Sequence, residues 1–225
     1  MASKDAERAR ARAKQLVRER IDVARAAMAA CEDAIGHELE ALAARGVAPT
    51  CSKGCAHCCR QEILVTRAEA EAIVEWIEAA WPAERRAALA ERIQGWLAWF
   101  RGECRARVAG GMAREVALYE HGPPCVALVD DACSIYPTRP MMCRMHFVRS
   151  TPDACRQKAD PALVAEPVVT LPSIHRVTQP AVLRIRAEIE RQGADFMSTV
   201  HLLPEWLAHL MKIEAQPWLD APPAR

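Results

Sequence analysis

The chain has 225 residues, enough for one substantial hydrophobic core, so it needs no disulfide staples to fold. Thirty Lys and Arg against 29 Asp and Glu leave a formal charge of +1, which excludes a global field that would draw it to nucleic acid or to an anionic membrane. Ten cysteines fall short of a small disulfide scaffold's density, and no run of about 18 apolar residues occurs, so a reduced, cytoplasmic chain without a membrane span is expected.

The first residues, Met-Ala-Ser-Lys-Asp-Ala-Glu-Arg, lack the apolar stretch of a secretion signal, and Asp5 and Glu7 argue against a transit peptide. From about Lys4 to Arg45 there is no proline, and apolar side chains fall at Val17, Ile21, Ala24, Met28, Cys31, Ile35, Leu39 and Leu42. Steps of three and four trace one face of a long helix that Gly46 and Pro49 can end. Cys31 lies on that face and is read as a small hydrophobe.

Residues 48 to 65 hold the segment Cys51-Ser-Lys-Gly-Cys55-Ala-His-Cys58-Cys59 on a loop, followed by a short extended run Ile63-Leu64-Val65. Thr66 with Glu69 three residues on is a capping box that opens a second helix, buried through Ile73, Ile77 and Ala80. Trp81-Pro82 ends it and starts a third. That helix carries Leu89, Ile93, Trp96, Leu97, Phe100 and Cys104 on one stripe, so Cys104 also packs. Gly110-Gly111 breaks it.

The second cysteine region contributes Cys125, Cys133, Cys143 and Cys155. Val126 to Val129 and Cys133 to Tyr136 flank Asp130-Asp131-Ala132, the pattern of a short hairpin that would bring Cys125 and Cys133 near each other. A lone hairpin is marginal, and a shared metal would hold it. Beyond Cys155 the sequence predicts an extended run from Pro167 to Leu171, a helix from Pro180 to Arg191 ended by Gly193, and a helix opened by Pro204 that carries Leu207, Leu210 and Met211.

Soft thiolates suit zinc and iron–sulfur clusters, and a closed site takes about four ligands, usually from separated segments. Eight candidates are available: Cys51, Cys55, Cys58, Cys59, Cys125, Cys133, Cys143 and Cys155. Lys53, Arg60, Arg139 and Arg144 lie beside them and would offset thiolate charge. Adjacent residues on extended backbone point to opposite sides, so Cys58 and Cys59 would share one ion only if the loop turns sharply. Their adjacency favours a multinuclear cluster, two sites, or one of the pair packing inward, and with eight thiols this puts iron–sulfur ahead of one tetrahedral zinc. His57 and His146 are weaker candidates, each equally suited to a role behind the ligands.

The pattern CxxxCxxCC at 51–59, then Cys125, then Cys133-Ser-Ile-Tyr-Pro-Thr-Arg-Pro-Met-Met-Cys143-Arg144, resembles the bacterial cysteine-cluster proteins of the YkgJ type, described as zinc- or iron-chelating. The resemblance covers roughly residues 48 to 150 and implies metal binding rather than a reaction. The flagellin lysine N-methylases, which are similar in this cysteine pattern but much longer, add an S-adenosylmethionine-dependent methyltransferase as an alternative. The spacing Cys51-x3-Cys55-x2-Cys58 is also that of radical S-adenosylmethionine enzymes, yet the strand and helix alternation of their barrel does not follow here.

The sequence thus predicts a mainly α, helical single domain with a Cys-rich loop and a short β-hairpin around a metal centre. Its parts are an N-terminal amphipathic helix (1–47), a cysteine-cluster region (48–160) and a C-terminal helical segment packed on it (161–225). The expected cofactor is an iron–sulfur cluster (4Fe–4S) or zinc, with no catalytic residue assigned. A zinc-stapled interaction module, its first helix packing on a protein partner, is a further alternative; membrane and nucleic-acid partners are not expected.

Overall fold

The computed structural model describes residues 2–52, 54–157 and 167–219. The first helix, α1 (Ala2–Ala44), buries the face expected of it, with Ile21, Ala24, Met28, Cys31, Ile35 and Leu42 all inside. Its partners are α2 (Arg67–Ala80) and α8 (Pro172–Arg191), so the apolar stripe is covered from within the chain. Two buried charged groups and the half-buried Gln192 lock this layer. Arg20 donates to both carboxylate oxygens of Glu71 on α2, at 2.7 and 2.6 Å, and to Gln192 beyond α8 at 2.5 Å. Pairing both oxygens with a planar guanidinium satisfies the buried charge on each side.

Helix α2 is the shared wall of two cores. Its small residues Ala68 and Ala72 face the α1–α8 layer, while Ile73, Val74 and Ile77 face a second core with Leu89, Ile93 and Leu97 of α3 (Ala83–Trp99). That second core also takes Leu203, Trp206 and Leu207 from α9 (Leu203–Leu210). The capping box at Thr66 and Glu69 forms as the sequence predicts, with Thr66 N–H donating to Glu69 Oε2 at 2.9 Å and Glu69 N–H to Thr66 Oγ1 at 3.3 Å. Helix α3 runs through a wider turn at Phe100–Cys104 into α4 (Arg105–Ala109), and a short helix α5 (Arg114–Val116) follows. Cys31 and Cys104 are 0% and 1% exposed, one in each core, as packing residues should be.

The strands are short. β1 (Leu64–Val65) pairs antiparallel with β4 (His201–Leu202), in the register Leu64 to Leu202. β2 (Leu128–Val129) pairs with β3 (Ala132–Cys133) in the expected hairpin. The turn is two residues, not three: Asp130 and Asp131 take φ of 48° and 55°, the left-handed pair that matches hairpin twist, and Ala132 is already in the strand. Tyr136 opens a tight turn, Tyr136–Thr138, rather than extending the strand. Helices α6 (Met141–Met145) and α7 (Pro152–Gln157) complete the cysteine region.

Helix α8 corrects the expectation of a start at Pro180. It begins at Pro172, and Pro180 lies inside it, a position that costs one backbone hydrogen bond but is outweighed by the buried Ile174, Thr178, Ile185 and Ile189. Gly193, at φ 84°, ends the helical turn in the left-handed conformation that glycine adopts without strain. The boundary expected at residue 160 lies outside the described residues, as does Lys53. Among the described residues no helix is long and apolar enough to cross a membrane.

Candidate metal centre

The first cysteine segment is fixed at both ends. Before it, Thr50 N–H donates to the Val148 carbonyl at 2.9 Å and its hydroxyl to the Ser150 carbonyl at 2.5 Å. After it, Cys125 N–H donates to the Cys59 carbonyl at 2.7 Å, a direct staple between the two cysteine regions. Between these points Gly54 takes φ of 94°, a bend that a side chain would strain. The chain then closes into a tight helical turn, His57–Arg60. The sharp turn that adjacent ligands require is therefore present: Cys58 and Cys59 are not on extended backbone, and their thiols hydrogen-bond to each other.

The second region presents its thiols from two supports. The hairpin sets Cys133 opposite Leu128, and Ser134 N–H and Oγ–H both donate to the Ala127 carbonyl at 2.7 Å, which holds Cys125 and Cys133 on one small scaffold. Arg92 of α3 donates from Nε to the Val126 carbonyl at 2.8 Å and ties this scaffold to the core. Cys143 sits on α6, whose first residue Met141 donates its N–H to Glu69 Oε1 at 2.9 Å. Glu69 thus caps α2 with one oxygen and carries the cysteine helix with the other.

Cys51, Cys55, Cys58, Cys59, Cys125, Cys133 and Cys143 line one cavity of about 740 Å³, with Arg139, Tyr136, His146, Ile63, Phe147 and Leu203 also in its wall. These are seven of the eight candidates. Cys155 is not in that lining: it is buried on α7, which packs against the His57–Arg60 turn, and its carbonyl accepts from the Tyr119 hydroxyl. His57 lies on the turn itself, half-buried. Among the described residues no three thiol, imidazole or carboxylate side chains form a compact ligand set, so the thiols surround the cavity rather than meet at a point. In chemistry and number they fit zinc or an iron–sulfur cluster: soft donors, from two segments, around one cavity.

Residues 50–161, about half of the chain, match a family model, CxxCxxCC, described as "Putative zinc- or iron-chelating domain". This stretch belongs to the CxxCxxCC family. No curated protein and no solved structure matches the chain. The CxxCxxCC domain spans both cysteine regions and every thiol of the cavity, which supports metal binding through this cysteine-rich region. Its first pair of cysteines here has one residue more between them than the family name denotes, within the stretch that Gly54 bends.

Electrostatics within the CxxCxxCC domain centre on Cys58. The thiol of Cys59 donates to it and holds it below its ordinary value, at about 7, against the opposing effect of burial; Cys59 as donor is pushed far up. Burial pushes Cys125 up to about 12 and raises Cys51, Cys133 and Cys143 too. A charge on Cys58 raises Cys51, Cys59, Cys125, Cys133 and Cys143 further, so one thiolate is felt by thiols of both regions. Burial also raises Tyr119 to about 12, with smaller contributions from Cys155, Cys58 and Cys55, which places Tyr119 between Cys155 and the first segment.

Two residues that support the site escaped the sequence reading. Glu69 was legible as a cap but not as the anchor of α6. Glu32, on α1, pairs with Arg144 at 2.5 Å and Arg139 at 3.5 Å, and no local pattern marks it because its partners are more than a hundred residues away.

Proposed function

We propose that the protein binds an iron–sulfur cluster, with zinc as the runner-up, through Cys51, Cys55, Cys58, Cys59, Cys125, Cys133 and Cys143. The observation that carries this reading is the lining of one cavity by seven thiols from two stapled segments. Seven exceed the four that a single tetrahedral zinc accepts, and the adjacent pair Cys58 and Cys59 faces the same space. Cys58 supplies the first thiolate near neutral pH, and the remaining thiols release their protons as a cation takes their place. Cys155 is a support of the turn in this reading rather than a ligand, because its helix packs behind His57–Arg60.

Anaerobic purification followed by visible absorbance and iron, zinc and acid-labile sulfide analysis tests this reading. Iron and sulfide in comparable amounts with a brown chromophore are expected. One or two zinc ions, no sulfide and no colour would sink the iron–sulfur assignment and leave the zinc one.

A further inference from the structure

Four thiolates on a divalent ion carry more negative charge than the ion neutralises, so a buried thiolate centre needs cations or N–H donors around it. Four cations stand beside the cysteines in the sequence. Lys53 lies outside the described residues. Arg60 donates to the Gly122 carbonyl at 3.1 Å and is not in the cavity wall. Arg144 is buried with all three nitrogens engaged: Nη1 to Glu32 at 2.5 Å, Nη2 to the Pro137 carbonyl at 2.7 Å and Nε to the Arg139 carbonyl at 2.9 Å.

Arg139 differs from the others. It lines the cavity, with its guanidinium 4.2 Å from the Tyr136 ring centre. Its ion pair with Glu32 is long, 3.5 Å, and the same carboxylate is held more closely by Arg144. Its Nε is buried with no hydrogen-bond partner among the described residues. A buried donor of this kind is costly unless something accepts from it, and the sulfurs of seven cysteines are among the acceptors in the cavity wall.

We propose that Arg139 is a positioning residue of the metal centre, giving the loaded site a balancing positive charge and an N–H donor to a thiolate sulfur, while Arg144 and Glu32 hold it there. The inference rests on the reading that the thiols hold a metal. Arg144 shapes the backbone from Pro137 to Arg139 through two carbonyls, and Glu32 joins both arginines to α1 next to the packed Cys31. The long first helix thereby contributes to the site without supplying a ligand.

The test uses Zn(II) affinity by competition with a chromophoric chelator and the thiolate-to-metal charge-transfer band of the Co(II)-loaded protein. Arg139→Met should weaken Zn(II) binding by about 10- to 100-fold and move the Co(II) band, the usual reach of a group behind the ligands. Arg139→Lys, which keeps the charge but not the fork, should recover part of the affinity, and Arg186→Met, on the exposed side of α8, should change neither readout. Wild-type affinity within twofold and an unmoved band in Arg139→Met would overturn the inference with the metal reading intact. No recovery in Arg139→Lys, with a lowered thermal midpoint in both variants, would reduce Arg139 to a packing role. Failure of the wild type itself to take up either metal, with no iron or sulfide after anaerobic purification, would remove the metal reading and this inference with it.

Discussion

Replacing Glu69 by Ala should destabilise the fold and loosen the metal site together, although its hydrogen bonds go to Thr66 and Met141 rather than to a cysteine. Its two oxygens accept three hydrogen bonds in a buried setting: Thr66 N–H at 2.9 Å, Thr66 Oγ–H at 2.7 Å and Met141 N–H at 2.9 Å. Loss of a cap costs about 1 kcal/mol. A buried N–H left without an acceptor costs about 1–3 kcal/mol, and the substitution strands two. Allowing for overlap between the cap and the Thr66 donor, the expected loss is about 3–5 kcal/mol, a large fraction of the roughly 5–15 kcal/mol that holds a domain together. Urea unfolding of the metal-free protein, with an unchanged denaturant slope, measures it. Glu69→Gln keeps one acceptor oxygen and turns the other into a donor facing an N–H, so it should lose at least half as much. Because Met141 opens the helix that carries Cys143, Glu69→Ala should also weaken metal uptake. A loss under about 1 kcal/mol, with metal uptake intact, would refute the reasoning that one carboxylate joins α2 to the cysteine helix.

Cys31→Ala and Cys104→Ala should keep the full metal content while lowering stability modestly, because both thiols are packing atoms in the two cores; metal loss from Cys104→Ala, read by elemental analysis, would break the division between packed and cavity cysteines. Stability of the metal-free protein should depend on pH in the alkaline range. Burial holds Cys51, Cys125, Cys133 and Cys143 above the ordinary 9.0 in the folded state, so the unfolded chain releases these protons first. Their contribution is full below pH 9 and is lost as pH climbs toward the value of about 12 at Cys125. Cys58 runs the other way, stabilising above pH 9 and losing that contribution as pH falls through about 7. Thermal midpoints between pH 6 and 11 should therefore fall at both ends, and a midpoint that rises steadily to pH 11 would contradict the burial of the thiols.

What the sequence made legible was local. The stripe from Ile21 to Leu42, the Thr66–Glu69 box and the Trp81-Pro82 break each announce themselves within a few residues, and each is present as read. The ligand candidates were legible because cysteine clusters are uncommon, and seven of the eight meet around one cavity. The features that place them there were not. β1 pairs with β4 across more than 130 residues of chain, and two-residue strands carry no alternation to read. Proline suits a first turn, so the sequence predicts a helix start at Pro180, yet burial of Ile174 and Thr178 upstream carries the helix through it. Glu32 and Arg20 find their partners only when α1 lies against the rest of the fold.

The central claim is that two segments share one centre, and metal content of Cys133→Ala tests it most directly. This variant leaves the whole Cys51 to Cys59 segment intact and removes one thiol of the hairpin. Loss of bound metal, or a changed metal-to-protein ratio and spectrum, is the predicted result. Full metal content with an unchanged spectrum would show that the first segment holds the metal without the hairpin, and would contradict the account.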